Sequence, residues 1–233
     1  MTVVRIVPAG DGGVCVRFAD AISNEAHARV LATMAVLDRD RPAGVTDVVP
    51  GYASLLVTCD PGRADPAAVR TWIDAAVSNS GAAPSPALAA GVRVEIPVLY
   101  HPRVAPDLVP LAQEKALTVA EVVALHTAPE YRCLMLGFRP GFPFLGGLDP
   151  RLHAPRLDTP RAAVAAGSVG IGGPQTGVYP VDGPGGWRLI GRTPSRLFDP
   201  GRADPFLVNA GDAVKFVAID ETTFERLAAR GGR

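Results

Sequence analysis

The chain has 233 residues, 48% of them hydrophobic and 20% charged, which is a soluble globular composition with material for one large domain or two small ones. Its 23 basic and 23 acidic residues cancel, which argues against nucleic acid or an anionic membrane as a partner. No apolar run approaches the roughly 18 residues of a membrane span, and Met1 to Pro8 lack the charged-then-apolar order of a signal peptide. Val3–Val7 and Gly13–Phe18 are short β-branched runs separated by a turn cluster, and they predict strands. Ser23 opens a helix that places Ala26, Val30, Met34 and Leu37 on one face. Val45–Val49 and Leu55–Cys59 predict two further strands around Pro50-Gly51-Tyr52. Asp65-Pro66 starts a second helix, with Val69, Ile73 and Val77 along one side. Gly81 to Gly91 is small, uncharged and proline-containing, the composition of a linker.

Beyond that linker, Val92–Leu99 predicts a strand and Ala105–Gln113 a short helix. Thr118 with Glu121 forms a capping-box start for a helix over Thr118–Thr127. From Tyr131 helical periodicity vanishes. Cys133–Leu136, Val169–Ile171, Gly177–Tyr179, Trp187–Ile190 and Ala213–Ala218 are short apolar stretches punctuated by Gly and Pro, the pattern of a small β-barrel or sandwich with long loops. Glu221–Arg230 predicts a terminal helix docked through Phe224 and Leu227. The expected fold class is α+β, with a small N-terminal α+β sandwich over residues 1–90 and a β-barrel over 91–233. Cys15, Cys59 and Cys133 are odd in number and lack a CxxC spacing, so they read as reduced thiols in strands of a cytoplasmic protein.

Gly137 to Gly147 and its continuation to Thr193 are the densest source of turn residues in the chain. Polar and aromatic side chains are lodged between the glycines and prolines, as in a binding site built on rigid turns. Residues 131–202 carry nine Arg against four Asp, a surplus of five positive charges, so this half attracts anions. Arg139, Arg161 and Arg192 each sit beside Pro or Gly and are candidates to grip a carboxylate or phosphate; the alternative for each is a solvated surface residue. His126, at the end of its helix, is either a general base or a cap for free helical carbonyls. Ser168 lies in Ala-Gly-Ser-Val-Gly, which is not the nucleophile elbow G-x-S-x-G, so a hydrogen-bonding or turn role fits better than a covalent one. Gln175 and Tyr179 offer polar specificity or edge-strand bonds, and Trp187 a pocket wall or a core plug. Gly170-Ile171-Gly172-Gly173 lacks the Lys-Ser/Thr of a Walker loop. His27, His101 and His153 have no partner at metal-ligand spacing, so no metal site is expected.

Gly137–Gly147, Pro160-Arg161, Ala166–Ile171, Gln175–Pro180, Pro184–Trp187 and Ile190–Pro194 together resemble the family called allophanate hydrolase subunit 1. Pro8–Asp11 and Val48–Val57 extend the likeness over nearly the whole chain. Members of that family include the B-type component of bacterial ATP-dependent 5-oxoprolinase and a sporulation-kinase inhibitor. The resemblance implies a C-terminal barrel of cyclophilin-like type. It also implies two partners, a larger allophanate-hydrolase-subunit-2-type protein and a third 5-oxoprolinase subunit. The implied activity is the opening of 5-oxo-L-proline, a small amide, to L-glutamate, with ATP as a cofactor of the complex. In that reading Arg139, Arg161, Tyr179, Trp187, Arg192 and Thr193 bind substrate, while His126, Ser168 and Gln175 are catalytic. The alternatives are a carboxyltransferase-type subunit in urea metabolism and a sensor histidine kinase inhibitor. The chain departs from many relatives at Tyr100-His101-Pro102, at Phe144, where a Tyr is common, and at Leu157, where a basic residue is common.

Overall fold

A computed structural model describes residues 4–80 and 91–231. The chain divides into two compact units, Met1–Gly91 and Val92–Arg233. In the first, strands β1 (Arg5–Pro8), β2 (Gly13–Arg17), β3 (Val45–Pro50) and β4 (Ser54–Cys59) form an antiparallel sheet in the order β1-β2-β4-β3. Helices α1 (Asn24–Leu37) and α2 (Pro66–Asn79) cover it, with Val16, Phe18, Val30, Leu55, Val57 and Ile73 in the core between them. Both helices start where the caps predict. The Ser23 hydroxyl accepts the Ala26 N–H, and the Asp65 carboxylate accepts the Ala67 N–H with Pro66 in the first turn. Val3 and the linker residues 81–90 lie outside the described residues.

The second unit holds β5 (Arg93–Val98), α3 (Leu108–Glu114), α4 (Val119–Thr127), β6 (Tyr131–Leu136), β7 (Pro143–Gly146), β8 (Arg161–Val164), β9 (Ser168–Gly172), β10 (Gln175–Val178), β11 (Gly183–Gly185), β12 (Arg188–Arg192), β13 (Ala213–Ala218) and α5 (Glu221–Ala229). Seven strands make one sheet in the order β12-β9-β10-β7-β6-β13-β5; β5 and β13 run parallel and the other pairs antiparallel. Its two edges meet. Leu99, just past β5, exchanges both backbone hydrogen bonds with Arg192 at the end of β12, at 2.8 and 3.0 Å. That bridge closes the sheet into a barrel and satisfies edge groups that would otherwise need another partner. β8 and β11 form a separate two-stranded ribbon. The α+β class is the one the residue patterns predict.

Two elements differ from expectation. Helix α3 starts at Leu108 rather than Ala105, because the Asp107 carboxylate does not cap it and is drawn instead to Arg161 and Leu189. Helix α5 buries no residue: Phe224 and Leu227 are only half-buried, so it rests on the unit without docking deeply. The three cysteines fall in β2, β4 and β6, and none is paired. Among the described residues, no helix is long and apolar enough to cross a membrane.

Candidate functional site

The turn between β6 and β7 builds one wall of a cleft in the barrel unit. Arg139 N–H donates to the Gly137 carbonyl at 2.6 Å, across Phe138 at φ +63°. An i-to-i+2 bond around a positive φ is the rarer, strained γ-turn, and a bulky residue adopts it only where the surroundings enforce it. The turn thrusts the Phe138 ring outward, 61% exposed. Behind it lie Phe142, Tyr179 and Trp187, all buried, and the partly buried Phe144. Phe142 meets Tyr179 at 5.1 Å and 81°, Trp187 at 5.3 Å and 90°, and Phe138 at 5.7 Å and 82°. These edge-to-face contacts stiffen the wall beyond what apolar burial provides. The cleft measures about 360 Å³; Leu157, Pro160, Pro184, Gly185 and Gly186 complete its lining, and Arg156 is its single charged residue.

Some of the glycines follow from these rings. A Cβ on Gly172 would stand 2.5 Å from the Trp187 indole, and one on Gly185 would stand 2.4 Å from the Tyr179 hydroxyl. The rings lie directly on the backbone, and only glycine leaves room for them.

The three predicted anion-gripping arginines do not share a ligand site; each has its own acceptor within the protein. Arg161 pairs with Asp107 at 2.7 Å and reaches the Trp187 carbonyl at 3.4 Å. The other oxygen of Asp107, itself 8% exposed, takes the Leu189 N–H at 2.7 Å. Asp107 and Arg161 thus brace the chain on both sides of Arg188 and fix where Trp187 sits. Arg139 donates to the Asp182 carbonyl at 3.4 Å and lies 5.5 Å over the Phe138 ring. Arg192 donates to the Ala166 carbonyl at 3.1 Å and lines a separate, more polar groove of about 670 Å³ with Thr193 and Arg196. Thr193 is buried, and its hydroxyl accepts the Ser195 N–H. Of the sequence candidates, the cleft therefore gathers Tyr179 and Trp187.

Ser168 and Gln175 are buried in β9 and β10, outside the cleft lining. His126 is fully buried and packs 4.6 Å from the Phe216 ring. Its Nδ1 lies 2.7 Å from the Tyr100 hydroxyl and its Nε2 2.8 Å from the Thr176 hydroxyl. The Thr176 proton is committed to the Gly170 carbonyl at 2.9 Å. Thr176 therefore accepts from His126 Nε2–H, and Nδ1 accepts the Tyr100 O–H. Burial pushes the imidazole down to about 3, so it is neutral at neutral pH. Burial likewise holds Tyr100 well above its ordinary value, as a hydrogen-bond donor requires. His126 is thus neither a surface base nor a carbonyl cap: it ties α4 to β10 inside the barrel.

Residues 4–208 match the family model described as the carboxyltransferase domain, subdomains C and D. The chain belongs to this carboxyltransferase-domain family. It is 40% identical over 235 residues to the protein of Bacillus subtilis (strain 168) named as the B-type component of 5-oxoprolinase, a match covering 94% of this chain and 95% of the relative. It is 55% identical over 128 residues to the protein of the same name from Escherichia coli O157:H7, covering 55% of this chain and 59% of that one. Among solved structures it resembles TTHA0988, with TM-score 0.77, 38% identity and 89% of this chain covered; the chain spans 39% of that longer protein. It also superposes on the uncharacterised Pyrococcus horikoshii protein PH0987, with TM-score 0.57 and 43% identity, over 94% of this chain and all of that one. The Kluyveromyces lactis urea carboxylase, at 20% identity and TM-score 0.74 over 98% of this chain and 23% of that one, shares the fold.

Within this carboxyltransferase-domain fold, the run nearest to a phosphate loop, Gly170-Ile171-Gly172, is the C-terminal end of β9. Gly170 and Ile171 pair with β10 on one side and β12 on the other, and Gly172 pairs with β10. A strand committed on both edges does not present a cradle of free amides, so this segment does not fit a nucleotide phosphate. Among the described residues, no group of three or more His, Cys, Asp or Glu is arranged to hold a metal. Among the cleft's aromatic and charged residues, those absent from the sequence-based candidates are Phe138, Phe142, Phe144 and Arg156. One signal was available: three of the chain's eight phenylalanines fall within seven residues of a turn-rich stretch without helix or strand periodicity.

Proposed function

We propose that this chain is the B-type component of an ATP-dependent 5-oxoprolinase, which opens 5-oxo-L-proline to L-glutamate. It works in the cytoplasm with a larger allophanate-hydrolase-subunit-2-type protein and a third subunit. The observation that carries this reading is the near full-length likeness to a protein named as that 5-oxoprolinase component, over 94% of this chain and 95% of the relative. The aromatic cleft supports it. At about 360 Å³ it lies at the small end of the ~300–1,000 Å³ range of ligand pockets and suits a single five-membered ring. In this reading the flat lactam lies against Trp187 and Phe144, and the Tyr179 hydroxyl, which burial keeps protonated, donates to the lactam carbonyl. ATP, bound elsewhere in the complex, supplies the free energy for opening the amide. His126 takes no part in proton transfer; Asp107 and Arg161 hold Trp187 in place.

The test is ATP hydrolysis stimulated by 5-oxoproline in the reconstituted three-subunit mixture, with this chain included or omitted. Stimulation only when it is present supports the proposal; equal stimulation without it, or none with any combination, sinks it. The family description favours one second reading, carboxyl transfer in urea metabolism. Urea-dependent turnover that is abolished by avidin would favour that reading over the first.

A further inference from the structure

Nine arginines lie between residues 131 and 202, and eight of them have an acceptor inside the protein. Arg132, Arg139 and Arg192 donate to backbone carbonyls, and Arg151, Arg161, Arg188, Arg196 and Arg202 pair with carboxylates. Arg156 is the exception: it has no hydrogen-bond or ion-pair acceptor among the described residues. It is also the one charged residue lining the aromatic cleft. Its charge and that of the Asp107-paired Arg161 both favour the Tyr179 phenolate, opposing the larger effect of burial. The rest of the lining is aromatic, aliphatic, Pro and Gly, with no carboxylate to repel an anion and no second cation to balance a further negative charge.

We propose that Arg156 is the anion anchor of this cleft and that the cleft selects small, flat, ring-bearing monocarboxylates. The ring lies against Trp187 and Phe144, and the carboxylate accepts two N–H bonds from the guanidinium fork. Planar bidentate pairing is the geometry at which arginine excels, and the aromatic wall strengthens it by excluding water from one side. The same inventory rejects polyanions. A nucleoside triphosphate would bring several charges to one cation and leave the remainder against apolar rings, which is costly. ATP therefore does not enter this cleft. This inference deepens the proposed function and rests on the cleft being its substrate site, yet it makes a claim about ligand chemistry that is tested separately.

The experiment is calorimetric titration of the full chain with three probes: 5-oxoproline, 2-pyrrolidinone (the same lactam without its carboxylate) and cyclopentanecarboxylate (a ring carboxylate without the lactam). Each is titrated into the unaltered protein, Arg156→Gln and Arg156→Lys. The expected result is binding of both carboxylates at least tenfold tighter than 2-pyrrolidinone. Arg156→Gln should weaken both carboxylates by roughly tenfold to a hundredfold, the loss of a charge-assisted pair. It should leave 2-pyrrolidinone binding and the melting temperature unchanged, because Arg156 is exposed. Arg156→Lys should recover part of the loss, since a point charge lacks the fork. Carboxylates bound equally by the unaltered protein and Arg156→Gln would overturn the anchor while leaving the 5-oxoprolinase reading untouched. Cyclopentanecarboxylate held through Arg156 while 5-oxoproline is ignored would support the anchor and sink the 5-oxoprolinase reading. No carboxylate binding to the unaltered protein overturns the inference.

Discussion

The buried His126 makes the barrel unit sensitive to acid, by an amount the structure sets. The imidazole titrates at about 3 when folded and about 6.5 in an unfolded chain. Between those values the unfolded chain takes up a proton that the folded chain refuses, so acid favours unfolding. The stability associated with neutral His126 is complete above about pH 6.5, falls as the pH is lowered, and levels off near pH 3. At pH 5 the unfolded imidazole is largely protonated and the folded one is not. At 1.36 kcal/mol per unit, the barrel should then be about 2 kcal/mol less stable than at pH 7.5. Carboxylates held below their usual range by hydrogen bonds, Glu121, Asp149 and Asp220, contribute at lower pH, so the window from 7.5 to 5 isolates the histidine. The assay is urea unfolding in a Trp72→Phe background, where Trp187 alone reports and belongs to the barrel unit. His126→Gln should be less stable at pH 7.5, having lost the ring stack on Phe216, but should show a pH dependence smaller by about 2 kcal/mol across the window. Equal pH dependence in the two proteins would refute the reasoning, since it would mean that His126 accepts a proton without unfolding.

Asp107→Ala removes the partner of Arg161 and leaves the Leu189 N–H without its acceptor; the barrel should lose about 3 kcal/mol, read by the same unfolding assay, and a loss below about 0.5 kcal/mol would contradict the bracing role. Gly172→Ala places a methyl group 2.5 Å from the Trp187 ring, so Trp187 must move, shifting its emission and weakening binding of the cleft ligand; an unaltered spectrum would show that the ring does not rest on that glycine. Phe138→Gly relieves a left-handed φ but deletes an exposed ring, two effects that nearly offset; the melting midpoint should correspond to a change within about 1 kcal/mol, while 5-oxoproline-stimulated turnover of the assembled enzyme falls. A nitrogen–proton correlation spectrum should show His126 as the neutral Nε2–H form from pH 8 to pH 5; an Nδ1–H or doubly protonated ring would break the donor chain from Tyr100 to Gly170.

What the residues disclosed in advance follows the range of the interactions involved. The starts of α1, α2 and α4 were legible because a cap is decided within four residues: Ser23 with Ala26, Asp65 with Ala67, and Thr118 with Glu121. Strands β7, β8 and β11 were not, since three or four residues carry too little alternation to read, β7 and β11 are broken by Pro and Gly, and β8 finds its partner β11 only across two intervening strands. Barrel closure depends on a bridge between Leu99 and Arg192, to which no local pattern points.

The site shows the same limit more sharply. Tyr179 and Trp187 were legible because polar and aromatic side chains lodged among dense turn residues mark a binding site; that Gly172 and Gly185 make room for their rings emerges only in the fold. The arginines were legible as a cluster but not as individuals. A surplus of five positive charges says that the segment attracts anions, yet a guanidinium that looks free in sequence can be consumed by a carbonyl or by a carboxylate 54 residues away, as Arg161 is by Asp107. The informative quantity is which cation the folded chain leaves without an acceptor at the rim of an apolar cleft, because an internal partner lowers what a ligand can gain there. Arg156 meets that condition, and its neighbours Pro155 and Leu157 give no hint of it. The same reasoning separates His126 from a catalytic base. Its partners Tyr100 and Thr176 lie 26 and 50 residues away, and only their convergence turns a helix-end histidine into a neutral core strut.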